Sequence, residues 1–79
     1  LGMDVHDCPT TSRAIEIPPN VVITVEPGIY IKHDNPLVRN EFKGIGFRIE
    51  DDVLITDTGS EVLTKSCVRG AHNIECLMS

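Results

Sequence analysis

The apolar runs of this chain are short, rich in β-branched residues and repeatedly interrupted. Val21-Val22-Ile23-Thr24-Val25 stops at Glu26-Pro27-Gly28, and Ile29-Tyr30-Ile31 resumes beyond it. β-Branched residues fit a pleated surface, and a proline inside such a run removes a ladder donor. The pattern therefore predicts two short strand pieces joined by a kink. Before them, Ile17-Pro18-Pro19-Asn20 reads as a turn, with Asn20 at a position that needs positive φ, so that the first strand begins at about Val21.

Residues 33–40 are polar and contain Pro36, which predicts a loop, and Gly44-Ile45-Gly46 predicts a bulge or close backbone approach ahead of the next strand. That strand, from Phe47 to Thr56, has the clearest alternation: Phe47, Ile49, Val53 and Ile55 fall on one face, Arg48, Glu50 and Leu54 on the other. Thr58-Gly59 ends it, and Glu61 to Thr64 reads as a short returning strand. Ala71, Ile74, Leu77 and Met78 recur at helical spacing, predicting a short amphipathic helix that packs on the sheet. The fold class is thus α+β: antiparallel strands with a short C-terminal helix.

Against this apolar background two carboxylates stand out. Glu26 ends one strand and Glu50 lies inside another. Each could be an ordinary edge or loop-facing side chain paired with a basic neighbour, and Arg48, on the same face as Glu50, is a concrete partner. Alternatively, antiparallel pairing sets Glu26 opposite Glu50, with Cβ atoms roughly 4.5–5.5 Å apart. Carboxylates that close repel unless a shared proton or a cation lies between them, and a hard, oxygen-preferring divalent ion such as Mn²⁺ suits them. His6 is flanked by Asp4 and Asp7, which can fix its tautomer. His33 and His72 stand in polar and terminal contexts and read as surface residues.

Composition narrows the function classes. Twelve acidic against seven basic residues give a net charge of −5 with no basic stripe, which argues against nucleic acid and anionic membranes as partners. No apolar stretch approaches the roughly 20 residues of a membrane span. Only three of 79 residues are aromatic, so any core rests on Val, Ile and Leu. The three cysteines, Cys8, Cys67 and Cys76, match neither a zinc nor a redox spacing and read as reduced thiols of an intracellular protein. A chain of this length without staples is marginal alone, which suggests a piece of something larger.

Three segments together resemble the C-terminal end of an Xaa-Pro aminopeptidase (aminopeptidase P), a pita-bread metallopeptidase. They are Leu1-Gly2-Met3-Asp4-Val5-His6-Asp7, Val22-Ile23-Thr24-Val25-Glu26-Pro27-Gly28-Ile29-Tyr30, and Phe42-Lys43-Gly44-Ile45-Gly46-Phe47-Arg48-Ile49-Glu50-Asp51-Asp52. The resemblance extends over essentially all of residues 1–79, which it implies are a C-terminal fragment of the catalytic domain. It implies a site of two divalent metals, usually Mn²⁺, held by two Asp, one His and two Glu, acting on peptides with proline in second position. By motif, Glu50 matches the glutamate that bridges both metals. Glu26 matches the one that binds a single metal and helps deprotonate the attacking water. His6 matches a histidine that contacts substrate near the scissile carbonyl, and Arg48 an arginine that supports the bridging glutamate.

The resemblance also implies that three of the five ligands lie upstream of Leu1. The 79 residues alone are then expected to be inactive, with the remainder of the catalytic domain as their first partner; a homo-oligomer of the intact enzyme is compatible with this. Asn20 replaces a usual Gly but serves the same positive-φ turn, and Asn40-Glu41-Phe42 replaces a usual Pro-Glu pair before the aromatic. Only twelve residues separate His6 from Pro19, which favours the aminopeptidase over a prolidase-type dipeptidase. The wording Leu-Gly-Met-Asp-Val-His-Asp-Cys points to a mitochondrial compartment, with the cytoplasm as the alternative. A different class remains open, a non-catalytic pita-bread protein that binds peptides or proteins, as does a stand-alone truncated subunit.

Overall fold

A computed structural model describes residues 4–6 and 8–79. Leu1, Gly2, Met3 and Asp7 of the first motif, including one of the two carboxylates expected to flank His6, lie outside the described residues.

Among the described residues five strands and one helix follow in order: β1 (Val22–Val25), β2 (Gly28–Tyr30), β3 (Gly46–Arg48), β4 (Asp51–Thr56), β5 (Gly59–Val62) and α1 (Ala71–Met78), with a 3₁₀ turn at Asn40–Phe42. The α+β class holds, and so do the turn at Pro19-Asn20, with Asn20 at φ 65°, and the kink between β1 and β2. β4 is central in a three-stranded antiparallel sheet, between β1 and β5, while β2 and β3 form a separate antiparallel pair. The returning strand starts at Gly59, two residues before the expected Glu61, because Thr56 pairs directly with Gly59 across a two-residue hairpin turn.

The long strand expected from Phe47 to Thr56 is split at Ile49-Glu50. Its cause is on the partner strand. Val22 pairs with Leu54 and Val25 with Asp51, while Gly28 pairs with Arg48 and Tyr30 with Gly46, so one register runs through both sheets. That register sets Pro27 against Ile49. Ile49 donates its N–H to the Pro27 carbonyl at 3.2 Å, but proline has no N–H to return. The ladder therefore lapses for two residues without losing its alignment. Beyond β2, Ile31 donates to Ile45 while Gly44, at φ 78°, donates back to Ile31, a one-residue offset that matches the expected bulge. The His33 ring fills the space a Cβ would take at Gly44.

Register and alternation give the paired strands two unlike faces. Cross-strand neighbours Ile29 and Phe47 are 71% and 63% exposed, and Val25, Ile45 and Ile49 on the same face are also exposed. Nothing among the described residues is fully buried; β1 and β4 are only half-buried. α1 forms as expected, but it makes no packing contact with either sheet and buries none of its residues. The expectation that it packs on the sheet is corrected: the chain between β5 and α1 carries the helix away from the strands, leaving Leu77 and Met78 exposed.

The radius of gyration is 16.8 Å, against about 12 Å for a compact domain of this length. The accessible surface is 7209 Å², roughly 2,500 Å² above that of a compact monomer of this mass. The 79 residues alone should therefore associate, or unfold without a cooperative transition. Sedimentation combined with urea titration checks this; a monodisperse monomer with a sharp transition would contradict it.

Candidate metal centre

The kink between β1 and β2 is where the chemistry collects. Along the paired strands main-chain hydrogen bonds join odd-numbered residues: Ile31 donates to Ile45, Ile49 to Pro27 and Ile55 to Val21. The even-numbered pairs are then the non-hydrogen-bonded ones, which approach more closely, with Cα atoms about 4.5 Å apart. The shared register makes Glu26 and Glu50 such a pair. Their opposition, read from the sequence as one of two alternatives, follows from the observed pairing.

A chain of side chains runs along this face. Thr24 Oγ1 donates to Glu26 Oε1 at 2.9 Å. Arg48 Nη1 donates to Glu26 Oε2 at 3.0 Å, and Arg48 Nε donates to Tyr30 Oη at 2.8 Å. The guanidinium also lies 5.9 Å from the centroid of the Tyr30 ring. Its pKa is raised above the ordinary arginine value, first by the hydrogen bond and electrostatic attraction of Tyr30 and further by the negative charges of Glu26 and Glu50. Arg48 forms its ion pair with Glu26 at 3.0 Å; among the two glutamates the ordinary basic partner that the sequence offered for Glu50 is thus taken by Glu26.

Glycine matters here for space. A Cβ on Gly46 would lie 2.8 Å from Tyr30 Cδ1, and one on Gly28 would lie 2.6 Å from Tyr30 Oη. The tyrosine ring thus lies over two bare glycines, one in each strand, and this seat aims its hydroxyl at Arg48. Tyr30 and Thr24 were not singled out by the sequence reading. The signal was the spacing Glu-Pro-Gly-Ile-Tyr opposite Gly-Ile-Gly-Phe-Arg, which acquires meaning only once the two segments are aligned.

His6 is placed in an exposed turn near the start of the described chain, and no hydrogen bond among the described residues joins it to Glu26, Arg48 or Tyr30. A groove of about 170 Å³ runs between residues 48–51 and residues 67–69, so that Glu50 lines an open surface. The three cysteines are free and exposed.

The donor set suits a hard divalent cation but is incomplete. Each Glu26 oxygen accepts one hydrogen bond from the protein, and a carboxylate oxygen has two acceptor positions, so both oxygens keep capacity toward a cation. Oxygen-preferring divalent ions take about six ligands, whereas the described residues contain no group of three or more His, Cys, Asp or Glu side chains able to hold a metal.

Comparison with known proteins decides the affiliation. The model of metallopeptidase family M24 matches residues 1–57. The chain belongs to this family. It is 50% identical over 82 residues to the Xaa-Pro aminopeptidase of Escherichia coli (strain K12), covering 99% of this chain and 18% of that protein. It is 51% identical over 81 residues to the mitochondrial intermediate cleaving peptidase 55 of Arabidopsis thaliana, covering all of this chain and 16% of the relative. Among solved structures, aminopeptidase P from E. coli with the inhibitor Pro-Leu superposes with a TM-score of 0.70 at 52% identity, over 78% of this chain and 14% of that one. The fold is accordingly a portion of the pita-bread architecture. The chain spans less than a fifth of the length of the relatives it matches.

Removing the Tyr30 hydroxyl tests the network within this M24 segment. In the intact protein Tyr30→Phe should release the Arg48 guanidinium, so that its Nε–H exchanges with water faster, while thermal stability stays close to wild type. Gly46→Ala, which displaces the ring, should do the same. Side-chain proton exchange at Arg48 by NMR, paired with a melting curve, reads both; unchanged exchange would contradict the network.

Proposed function

We propose that this chain is the C-terminal part of the catalytic domain of an Xaa-Pro aminopeptidase, contributing two of the ligands to a site for two divalent metals, with Mn²⁺ as the native ion. The observation that carries the reading is the opposition of Glu26 and Glu50 at a closely approaching cross-strand position. Opposed like charges destabilise a strand pair, and a shared cation turns that repulsion into binding. The remaining donors come from the rest of the domain.

When bound, the metals supply a water acidified to near neutral pH and polarise the scissile carbonyl. The chain's own residues do the rest. Glu50 would help to hold both cations. Glu26 would hold one of them and take up the proton of the attacking water, its orientation fixed by Thr24 on one oxygen and Arg48 on the other. Arg48 anchors the Glu26 carboxylate and is itself held in place by Tyr30. His6 contacts the substrate near the scissile carbonyl and is brought to the site by parts of the domain outside these residues.

Peptides with proline in second position are the proposed substrates, a reading supported by the names of the relatives. An intracellular location, mitochondrial or cytoplasmic, is supported by the mitochondrial name of the Arabidopsis relative and by the three unpaired thiols. A non-catalytic binding module is disfavoured, because Glu26, Glu50, Arg48 and His6 are all retained.

In the intact protein supplied with Mn²⁺, Glu50→Ala should reduce release of the first residue from an Xaa-Pro-Yaa peptide to background. Hydrolysis followed by mass spectrometry, with circular dichroism as the folding control, checks this. Activity retained by a folded variant would overturn the assignment.

A further inference from the structure

Glu50 occupies the two-residue lapse in the ladder, where its own segment keeps a single cross-strand hydrogen bond, from Ile49 to Pro27. Something else must fix the strand immediately after it. Asp51 is that point. Its Oδ1 accepts a hydrogen bond from Thr64 Oγ1 at 2.6 Å, and its Oδ2 accepts one from Arg69 Nη1 at 2.7 Å. Arg69 uses its other nitrogen, Nη2, to donate to the Thr64 carbonyl at 2.9 Å. Thr64 Oγ1 also accepts from the Asp52 N–H at 3.2 Å, and Leu63 donates to the Asp52 carbonyl at 2.9 Å. The result is a closed ring of bonds joining the start of β4 to the segment that follows β5.

Asp51 and Arg69 of this ring line the same groove as Glu50. The Asp51 side chain is only 22% exposed, and a forked arginine holding both a carboxylate and a carbonyl is geometrically restrictive.

We propose that Thr64 and Arg69 are positioning residues for Glu50: through Asp51 they lock the residue next to the metal-bridging carboxylate, so that Glu50 stays opposite Glu26 where the ladder cannot hold it. This rests on the metal-site reading above. The consequence is that residues 64–69, which carry no ligand, contribute to metal affinity.

The test uses the intact protein and three variants: Thr64→Val, which keeps shape but loses both hydroxyl bonds; Thr64→Ser, which restores them; and Arg69→Met. Mn²⁺ affinity is measured by competition with a chelator, kcat and KM separately on an Xaa-Pro-Yaa peptide, and amide exchange at residues 49–52 in the metal-free protein. Thr64→Val and Arg69→Met should weaken Mn²⁺ binding about 10- to 100-fold, lower kcat with KM little changed, and speed exchange at Asp52. Thr64→Ser should recover all three. Wild-type affinity and kcat in the folded Thr64→Val and Arg69→Met variants, even with a lowered melting temperature, would reduce the ring to a structural staple and overturn the proposal alone. Absence of Mn²⁺ binding in the wild-type protein would instead overturn the metal-site reading and this proposal with it.

Discussion

Glu26 and Glu50 share one register position across an antiparallel pair whose ladder lapses beside them, and the polar side chains around that position are arranged on this constraint. Like charges set opposite one another disfavour a strand pair. Pro27 places a gap in the ladder beside this pair, and the register nevertheless survives through Ile49 and through the strands on either side. Arg48 offsets part of the repulsion from one side, and it can do so because Gly28 and Gly46 leave room for Tyr30 to hold it. A divalent cation is the partner proposed here for the carboxylate pair.

The same strands leave a large apolar surface uncovered. One face carries Thr24, Glu26, Tyr30, Arg48 and Glu50, while the other exposes Ile29 and Phe47 side by side. With α1 standing away from the sheets, nothing among the described residues covers the apolar face. Excess surface on this scale fits a segment whose folding and chemistry both depend on neighbouring parts of a larger domain, in line with its matching only 16–18% of the length of its relatives.

Much of this arrangement was legible in the sequence, for physical reasons. Pro19-Asn20 and Glu26-Pro27-Gly28 are strong local punctuation, and the alternation from Phe47 onward assigns faces without knowledge of the partner strand. The Glu26–Glu50 opposition could be raised as an alternative because β pairing is periodic. What escaped was everything that depends on a second strand's chemistry. Alternation favoured one long strand because the defect lies in Pro27, more than twenty residues away. Proximity in sequence offered Arg48 to Glu50 as one alternative, whereas the folded strands bring its guanidinium to Glu26. The link from Asp51 to Thr64 and Arg69 spans 13 and 18 residues and has no local signature. The helix was placed on the sheet because its pattern is amphipathic, yet an apolar stripe does not specify which surface covers it.

The central claim is that Glu26 and Glu50 together bind divalent metal, and metal stoichiometry tests it without reference to activity. Mn²⁺ should be titrated calorimetrically into the intact protein and into its Glu26→Gln and Glu50→Gln variants, which preserve size and remove charge. The account predicts two ions bound by the wild-type protein, loss of at least one by Glu26→Gln, and weakening of both by Glu50→Gln. Wild-type stoichiometry and affinity in both folded variants would contradict it.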